Sequence, residues 1–279
     1  MTNELNSLHL AFIGCGVMAE SMLAGLVNNN LVDAANISAS HPRESRRAEL
    51  TEKYGVSAFE GNADAAKTVV GQENSAIVIC VKPQRLKRVL DDLKDVLHPD
   101  QLVISIVAGA TIEHLAEELG TAKVVRAMPN TPSQIGAGIT AWTCTVAVGD
   151  DERSHVRELL SALGKELFVE TENMIDMATS LSATGPTYIF MVMEALTDAG
   201  VHLGFSRDMA KLLVQETMLG SVKFAMESHK HPAELRNMVT SPGGTSAEAI
   251  YQMEKGTLRT VLSKAVYAAY KRAVELGKK

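Results

Sequence analysis

Leu8-His9-Leu10-Ala11-Phe12-Ile13-Gly14-Cys15-Gly16-Val17-Met18-Ala19 decides how the first half of this chain is read. An apolar run ends in Gly-x-Gly-x-x-Ala, and a helical pattern follows. Strand, tight turn and helix in that order open a βαβ unit. Gly14 permits the bend. Gly16 lets backbone come close to a ligand, and the small Ala19 lets the helix pack on the strand. Free N–H groups and the helix dipole at such a turn favour an anion. Gly14, Gly16, Val17 and Met18 are therefore candidate contacts for the pyrophosphate of a dinucleotide.

The next strand refines that reading. Asn36–Ser40 is the natural second strand, and in an NAD-preferring site a carboxylate at its end holds the ribose 2′-hydroxyl. Here it ends Ser40-His41-Pro42-Arg43, with Arg46 and Arg47 beyond. Hydroxyl and guanidinium groups suit a 2′-phosphate, so NADPH is the preferred cofactor, NADH remains possible, and Ser40 and Arg43 are the candidate contacts. The competing reading makes the arginines the solvated face of the following helix.

The rest of the first 150 residues alternates strand and helix, which implies a parallel sheet. Ser75–Val81, Leu102–Val107 and Lys123–Ala127 read as strands. The first two are nearly unbroken apolar runs, as in strands covered on both faces. Gln84–Leu97 and Ile112–Leu119 read as helices. Ile139–Val148 reads as one or two strands, and a helix over Asp151–Leu163 with a short strand Leu167–Val169 closes the domain. Beyond Glu170 only helices are predicted, over Met174–Leu203, Arg207–Glu227, Pro232–Val239, Thr245–Glu254 and Thr257–Leu276. The expected division is an α/β domain over 1–170 and an all-α domain over 171–279. Helices apolar on more than one face need a partner, so the second domain is expected to form a homodimer. A compact monomeric helical core is the alternative.

Composition narrows the class. The 279 residues are 46% hydrophobic and carry a net charge of −6, so neither nucleic acid nor an anionic membrane is an expected partner. Cys15, Cys80 and Cys144 lack paired or metal-type spacing and read as small buried hydrophobes in a reducing compartment. His202, His229 and His231 show no metal-ligand spacing with carboxylates, so no metal site is expected. No apolar stretch is long enough to span a bilayer, and no leader pattern opens the chain, so a cytoplasmic protein is expected.

Ligands of open α/β sheets bind beyond the carboxyl ends of the strands. Val81-Lys82-Pro83, Ala108-Gly109 and Met128-Pro129-Asn130 fall there, the last in the rigid Arg126–Pro132 loop (RAMPNTP). In the helical half, Gly185-Pro186 interrupts a helix. Thr240-Ser241-Pro242-Gly243-Gly244-Thr245-Ser246 supplies hydroxyls and glycines at a helix start, where a carboxylate or phosphate is favoured. Thr245-Ser246-Ala247-Glu248 also fits a capping box, with Thr245 as N-cap and Glu248 at N3. These segments lack a general acid apart from Glu248 and Lys82. Reducing a ketone needs a delivered proton, whereas a protonated C=N bond is already electrophilic.

The chain resembles pyrroline-5-carboxylate reductases along nearly its whole length. The resemblance is carried by FIGCGVMAE near the start, VKP at 81–83, RAMPNTP at 126–132, SATGPTY at 182–188 and HPAELRNMVTSPGGTSAEAIYQMEKG at 231–256. It implies a Rossmann-type doubly wound sheet followed by an all-α dimerisation domain. It implies reduction of 1-pyrroline-5-carboxylate to L-proline with NADPH or NADH, the last step of proline biosynthesis. It also implies homodimers or pentamers of dimers, with helical residues of a partner in the active site. Position by position, Gly14, Gly16, Val17 and Met18 match the pyrophosphate turn. Val81, Lys82, Pro83, Met128, Pro129 and Asn130 match loops near the ribose and nicotinamide. Ser241, Gly243, Gly244, Thr245 and Ser246 match the loop that holds substrate carboxylate and ring nitrogen, with Thr245 and Ser246 as the reacting-site hydroxyls.

Two departures stand out. Ser246 replaces the family's usual Thr, keeping the hydroxyl and losing a methyl. Ala183-Thr184 replaces Gly-Ser, adding carbon atoms that tighten or shift that loop. Two other activities share the plan. A β-hydroxyacid dehydrogenase needs a lysine early in the interdomain helix, and Met174–Leu203 contains none. A non-catalytic NADP-binding relative would bind cofactor without turnover.

Overall fold

The computed structural model describes residues 7–277. Its contacts divide the chain into two compact units, one running to Thr184 and resuming at Ala269, the other Gly185–Ala268.

The first unit is built on an eight-stranded sheet: β1 (His9–Ile13), β2 (Ile37–Ser40), β3 (Ser57–Phe59), β4 (Ser75–Ile79), β5 (Leu102–Ser105), β6 (Val124–Met128), β7 (Gly138–Cys144) and β8 (Gly164–Phe168). Their spatial order is β3-β2-β1-β4-β5-β6-β7-β8. All neighbours are parallel except β6 and β7. The first six follow the doubly wound order, with its switch point between β1 and β4.

Successive strand residues point to opposite faces, and each face has its own core. Leu10 and Phe12 of β1, Ala76 and Val78 of β4, and Val125 of β6 pack against α1 (Val17–Asn28), α2 (Glu44–Tyr54) and α6 (Asp150–Ser161). Ala11 and Ile13, Ile77 and Ile79, and Val124 pack against α3 (Asn62–Lys67), α4 (Leu86–Leu93) and α5 (Ile112–Leu119). A smaller cluster of Met128, Ala141 and Val169 takes in Ile175 of α7 (Asn173–Ala178). That cluster carries the first unit past the last strand.

Several elements differ from expectation. β3 has three residues and no apolar run, so nothing in its sequence marks it; it forms because β2 offers an open edge. β4 and β5 stop at Ile79 and Ser105, two residues short of the apolar runs, because the chain leaves the sheet there to enter the ligand-side loops. Ile139–Val148 yields one strand, which begins at Gly138. β8 starts three residues early, at Gly164, because Gly138 and Gly164 are paired in register and nearly touch. A Cβ on Gly164 would lie 2.2 Å from the Gly138 carbonyl oxygen.

The predicted Met174–Leu203 helix is α7, a π-helical turn at Thr179–Ala183 and α8 (Gly185–His202). Pro186 has no N–H to continue the ladder, and the wider turn absorbs the mismatch. The Thr184 N–H and hydroxyl both donate to the Thr179 carbonyl, at 2.9 Å each. Ala183 packs against the Met128 cluster. The added methyl at 183 therefore fills space beside the sheet.

The second unit contains α8, α9 (Arg207–Ser228), α10 (Pro232–Met238), α11 (Thr245–Lys255) and the first part of α12 (Leu258–Leu276). The rest of α12 belongs to the first unit, where a Cβ on Gly109 would lie 2.7 Å from Leu276 Cβ. Within Gly185–Ala268 only Ala210 is a buried hydrophobic residue. Phe190, Met191, Leu212, Leu213, Phe224 and Met226 are each more than half exposed. Ile189, Phe190 and Met191 are consecutive and all exposed, so α8 bares well over a third of its circumference. A helical unit with so little core of its own is completed by another chain. Among the described residues no helix is long and apolar enough to cross a membrane.

Candidate active site

The turn between β1 and α1 has the geometry its sequence implies. Gly14 adopts φ +82°, and a Cβ there would lie 2.3 Å from Val81 Cγ1. That contact brings the β1 and β4 loops together at the switch point. Gly16 is the N-cap of α1, and a Cβ on it would meet nothing nearer than 4.0 Å. Its lack of a side chain is thus a matter of access from outside. The Gly14, Cys15 and Gly16 N–H groups are spent inside the turn, on Ser40 Oγ, the Ser40 carbonyl and the Gly14 carbonyl. Within α1 the first N–H to bond is that of Glu20, to the Gly16 carbonyl. The Val17, Met18 and Ala19 N–H groups are left for an anion.

The second-strand residues separate into different roles. Ser40 is fully buried. Its hydroxyl accepts from the Gly14 N–H at 3.0 Å and donates to Asn62 Oδ1 at 2.7 Å. The expectation that Ser40 touches a 2′-phosphate is corrected: its hydroxyl is committed to shaping the turn. Arg46 pairs with Glu20 and Glu49. Arg47 donates to the His41 and Pro42 carbonyls and pairs with Glu60. Arg43, at the N-cap of α2, is exposed and has no carboxylate partner among the described residues. It alone of the three keeps its guanidinium available for a phosphate. His41 is held below its ordinary pKa by burial and by the Arg43, Arg46 and Arg47 charges.

Glu20 places a carboxylate in the first turn of α1, beside the anion position. Burial works to raise its pKa, but hydrogen bonds from Arg46, Tyr54 and Lys53 outweigh it and hold it at about 2. Those partners also offset its charge toward an incoming pyrophosphate. The Cys15 thiol is pushed up to about 12 by burial, and burial raises Cys80 and Cys144 as well. None of the three is a nucleophile at neutral pH.

Around the rim, Lys82 is exposed and caps a short turn whose first residue is Pro83. Met128 and Pro129 are buried. Asn130 is extended; its Oδ1 accepts from the Ile139 N–H at 3.0 Å and its Nδ2 donates to Ser182 Oγ at 3.5 Å. The loop is thus held from both sides. Arg126, two residues before Met128, is only 1% exposed and pairs with Glu172 at 2.9 Å and Asp176 at 2.6 Å. Glu172 Oε1 also accepts from the Ile112 N–H at 2.8 Å, tying the start of α5 to the same network. A lone arginine within the apolar run VVRAM signals carboxylate partners, which here are half-buried. They lie 46 and 50 residues away, so the sequence does not say which they are.

In the loop before α11, Gly243 has φ +69°, and Gly244 is the N-cap. A Cβ on Gly244 would lie 2.5 Å from Ser241 Oγ, which explains the glycine pair. The capping box centred on Thr245 is corrected. Thr245 is the first helical residue, so Glu248 lies past N3 and no side chain caps the helix. The Gly244 carbonyl accepts from Ala247 and Glu248. The Thr245 and Ser246 N–H groups and hydroxyls have no partner among the described residues and gather at one helix start. A helix start of this kind favours an anion.

Comparison with known proteins agrees with both halves. Residues 172–276 match the model for pyrroline-5-carboxylate reductase dimerisation, and residues 9–109 match that for coenzyme F420-dependent NADP oxidoreductases. A pyrroline-5-carboxylate reductase of Pseudomonas aeruginosa is 38% identical over 98% of each chain. The structure of one from Coxiella burnetii superposes with a TM-score of 0.87 at 37% identity, covering 98% of this chain and all of that one. The Plasmodium falciparum pyrroline carboxylate reductase with NADP bound superposes at 0.88 with 30% identity, over 98% and 99% of the two chains. With this likeness running the full length of both units, the chain belongs to the pyrroline-5-carboxylate reductase family.

Proposed function

We infer that the chain reduces 1-pyrroline-5-carboxylate to L-proline with hydride from NADPH, NADH serving as an alternative. The residues present fit that cofactor. The Gly14 cradle excludes a side chain, the start of α1 offers three N–H groups, and Arg43 is free to meet a 2′-phosphate. Val81, Lys82 and Pro83, with Met128, Pro129 and Asn130, wall the ribose and nicotinamide. Ser40 supports the turn from behind.

The observation that carries the substrate assignment is the start of α11. Its two free N–H groups and the Thr245 and Ser246 hydroxyls hold the substrate carboxylate, with Ser241, Gly243 and Gly244 shaping the loop. Ser246 hydrogen-bonds the ring nitrogen. A protonated imine needs no general acid, which suits a site built from hydroxyls and backbone N–H groups. Helices of a partner copy complete the site, and a pentamer of such dimers is the larger assembly we propose. The three unpaired thiols support a cytoplasmic location.

Steady-state turnover of pyrroline-5-carboxylate, followed by nicotinamide absorbance with NADPH and then NADH, tests this reading. Cofactor binding without turnover would sink it. Ser246→Ala is expected to lower kcat/KM about tenfold, the scale of one lost hydrogen bond to a charged group. Kinetics equal to the parent would remove Ser246 from the site. Arg43→Ala is expected to raise the NADPH KM about 10–100-fold while NADH changes about twofold or less. Equal losses for the two cofactors would refute 2′-phosphate recognition by Arg43.

A further inference from the structure

We propose that Asp92, on α4, is a positioning residue for the Gly14 turn, acting through Asn62 and Ser40. Asn62 Nδ2 donates to Asp92 Oδ2 at 2.8 Å. Asn62 Oδ1 accepts from Ser40 Oγ at 2.7 Å, and Ser40 Oγ accepts from the Gly14 N–H at 3.0 Å. The directions of these bonds follow from one group. A carboxylate can only accept, so the amide must turn its NH2 toward Asp92 and its oxygen toward Ser40. Ser40 has one proton, which goes to that oxygen and leaves a lone pair for Gly14.

Ser40 is fully buried, so water cannot take over a missing partner. Without Asp92 the Asn62 amide is free to rotate and present its NH2 to Ser40. The hydroxyl proton then has no acceptor, or is aimed at the Gly14 donor. Either arrangement loosens a turn that already holds φ +82°. Asp92 meets no ligand in this account. It lies on the helix after β4 and acts from the far end of the chain of bonds.

The inference rests on the reading of this turn as the dinucleotide site. The pyrophosphate is common to both cofactors, so the loss is common to both, unlike the loss from Arg43→Ala. The test is Asp92→Ala and Asp92→Asn in the full-length enzyme, with NADPH and NADH affinities from nicotinamide fluorescence and kcat at saturating cofactor. Asp92→Ala is expected to weaken both cofactors by the same factor, about tenfold, with kcat close to the parent. Asp92→Asn is expected to fall between the parent and Asp92→Ala, since its amide oxygen accepts the same bond but its NH2 also donates and so no longer dictates the orientation of the Asn62 amide. Unchanged affinity in Asp92→Ala would overturn the proposal. So would an Asp92→Asn as weak as Asp92→Ala, or a fall in kcat together with a raised pyrroline-5-carboxylate KM, as a general loss of structure gives. A parent enzyme that binds neither cofactor would overturn the dinucleotide reading and this inference with it.

Discussion

Replacing Phe190 and Met191 by glutamate is expected to abolish the dimer and, with it, turnover. Both side chains are more than half exposed in the single chain, at 57% and 65%. Burying each against a partner contributes about 1.5–3 kcal/mol. Two-fold symmetry doubles the effect, so the pair of substitutions removes roughly 6–12 kcal/mol from the interface. An association with micromolar Kd amounts to about 8 kcal/mol. The loss is about three-quarters of that affinity or more, before the cost of burying the new charges is counted. Sedimentation should show monomers, and pyrroline-5-carboxylate reduction should fall below detection. NADPH binding serves as the control, because the first unit has its own two cores. A variant that remains a fully active dimer would show that this face of α8 lies outside the interface.

Gly14→Ala is expected to raise the Kd of NADPH and NADH alike by about 100-fold or more. A non-glycine residue in the left-handed region costs about 1–2 kcal/mol, and forcing a methyl into packed space adds about 1–3 kcal/mol. The space in question is occupied by Val81 Cγ1. The protein relieves the clash by opening the loop or moving Val81, and both deform the cofactor crevice. Tm should fall as well, since the strain exists without ligand. Gly16→Ala provides the contrast. Its φ is an ordinary −82° and its Cβ meets open space, so Tm should hold while both cofactors bind more weakly. Cofactor affinity in Gly14→Ala equal to that of the parent would contradict the steric reading of the turn.

The candidate site was legible where its chemistry is local. Gly14, Gly16, Val17 and Met18 lie within five consecutive residues, and the conformation of so short a turn depends mainly on its own residues. The same holds for Ser241–Ser246, with one exception. Glu248, three residues on, makes Thr245 look like a helix cap, but the Gly243-Gly244 turn moves the cap back to Gly244. Glycine is itself an acceptable N-cap, and the folded turn places Gly244 there. Its place at the end of the second strand marks Ser40 as a phosphate contact. Its neighbours across the sheet, Gly14 and Asn62, claim its hydroxyl instead. Arg43, Arg46 and Arg47 are near-equivalent in sequence. Only the positions of Glu20, Glu49 and Glu60 show which guanidinium is left free.

By itself the sequence determined the two-part plan, the parallel character of the first sheet, the glycine turn between β1 and α1 and the helical half that demands a partner. Each of these rests on periodicity or on glycine placement, which act over a few residues and survive without knowledge of neighbours. The tertiary structure decided where β3 and β8 form, how the Arg126 side chain is neutralised, and which polar atoms are spent before any ligand arrives. Hydrogen bonds and ion pairs join groups tens of residues apart. Which donor meets which acceptor depends on the stacking of strands and helices, and that is a property of the folded chain.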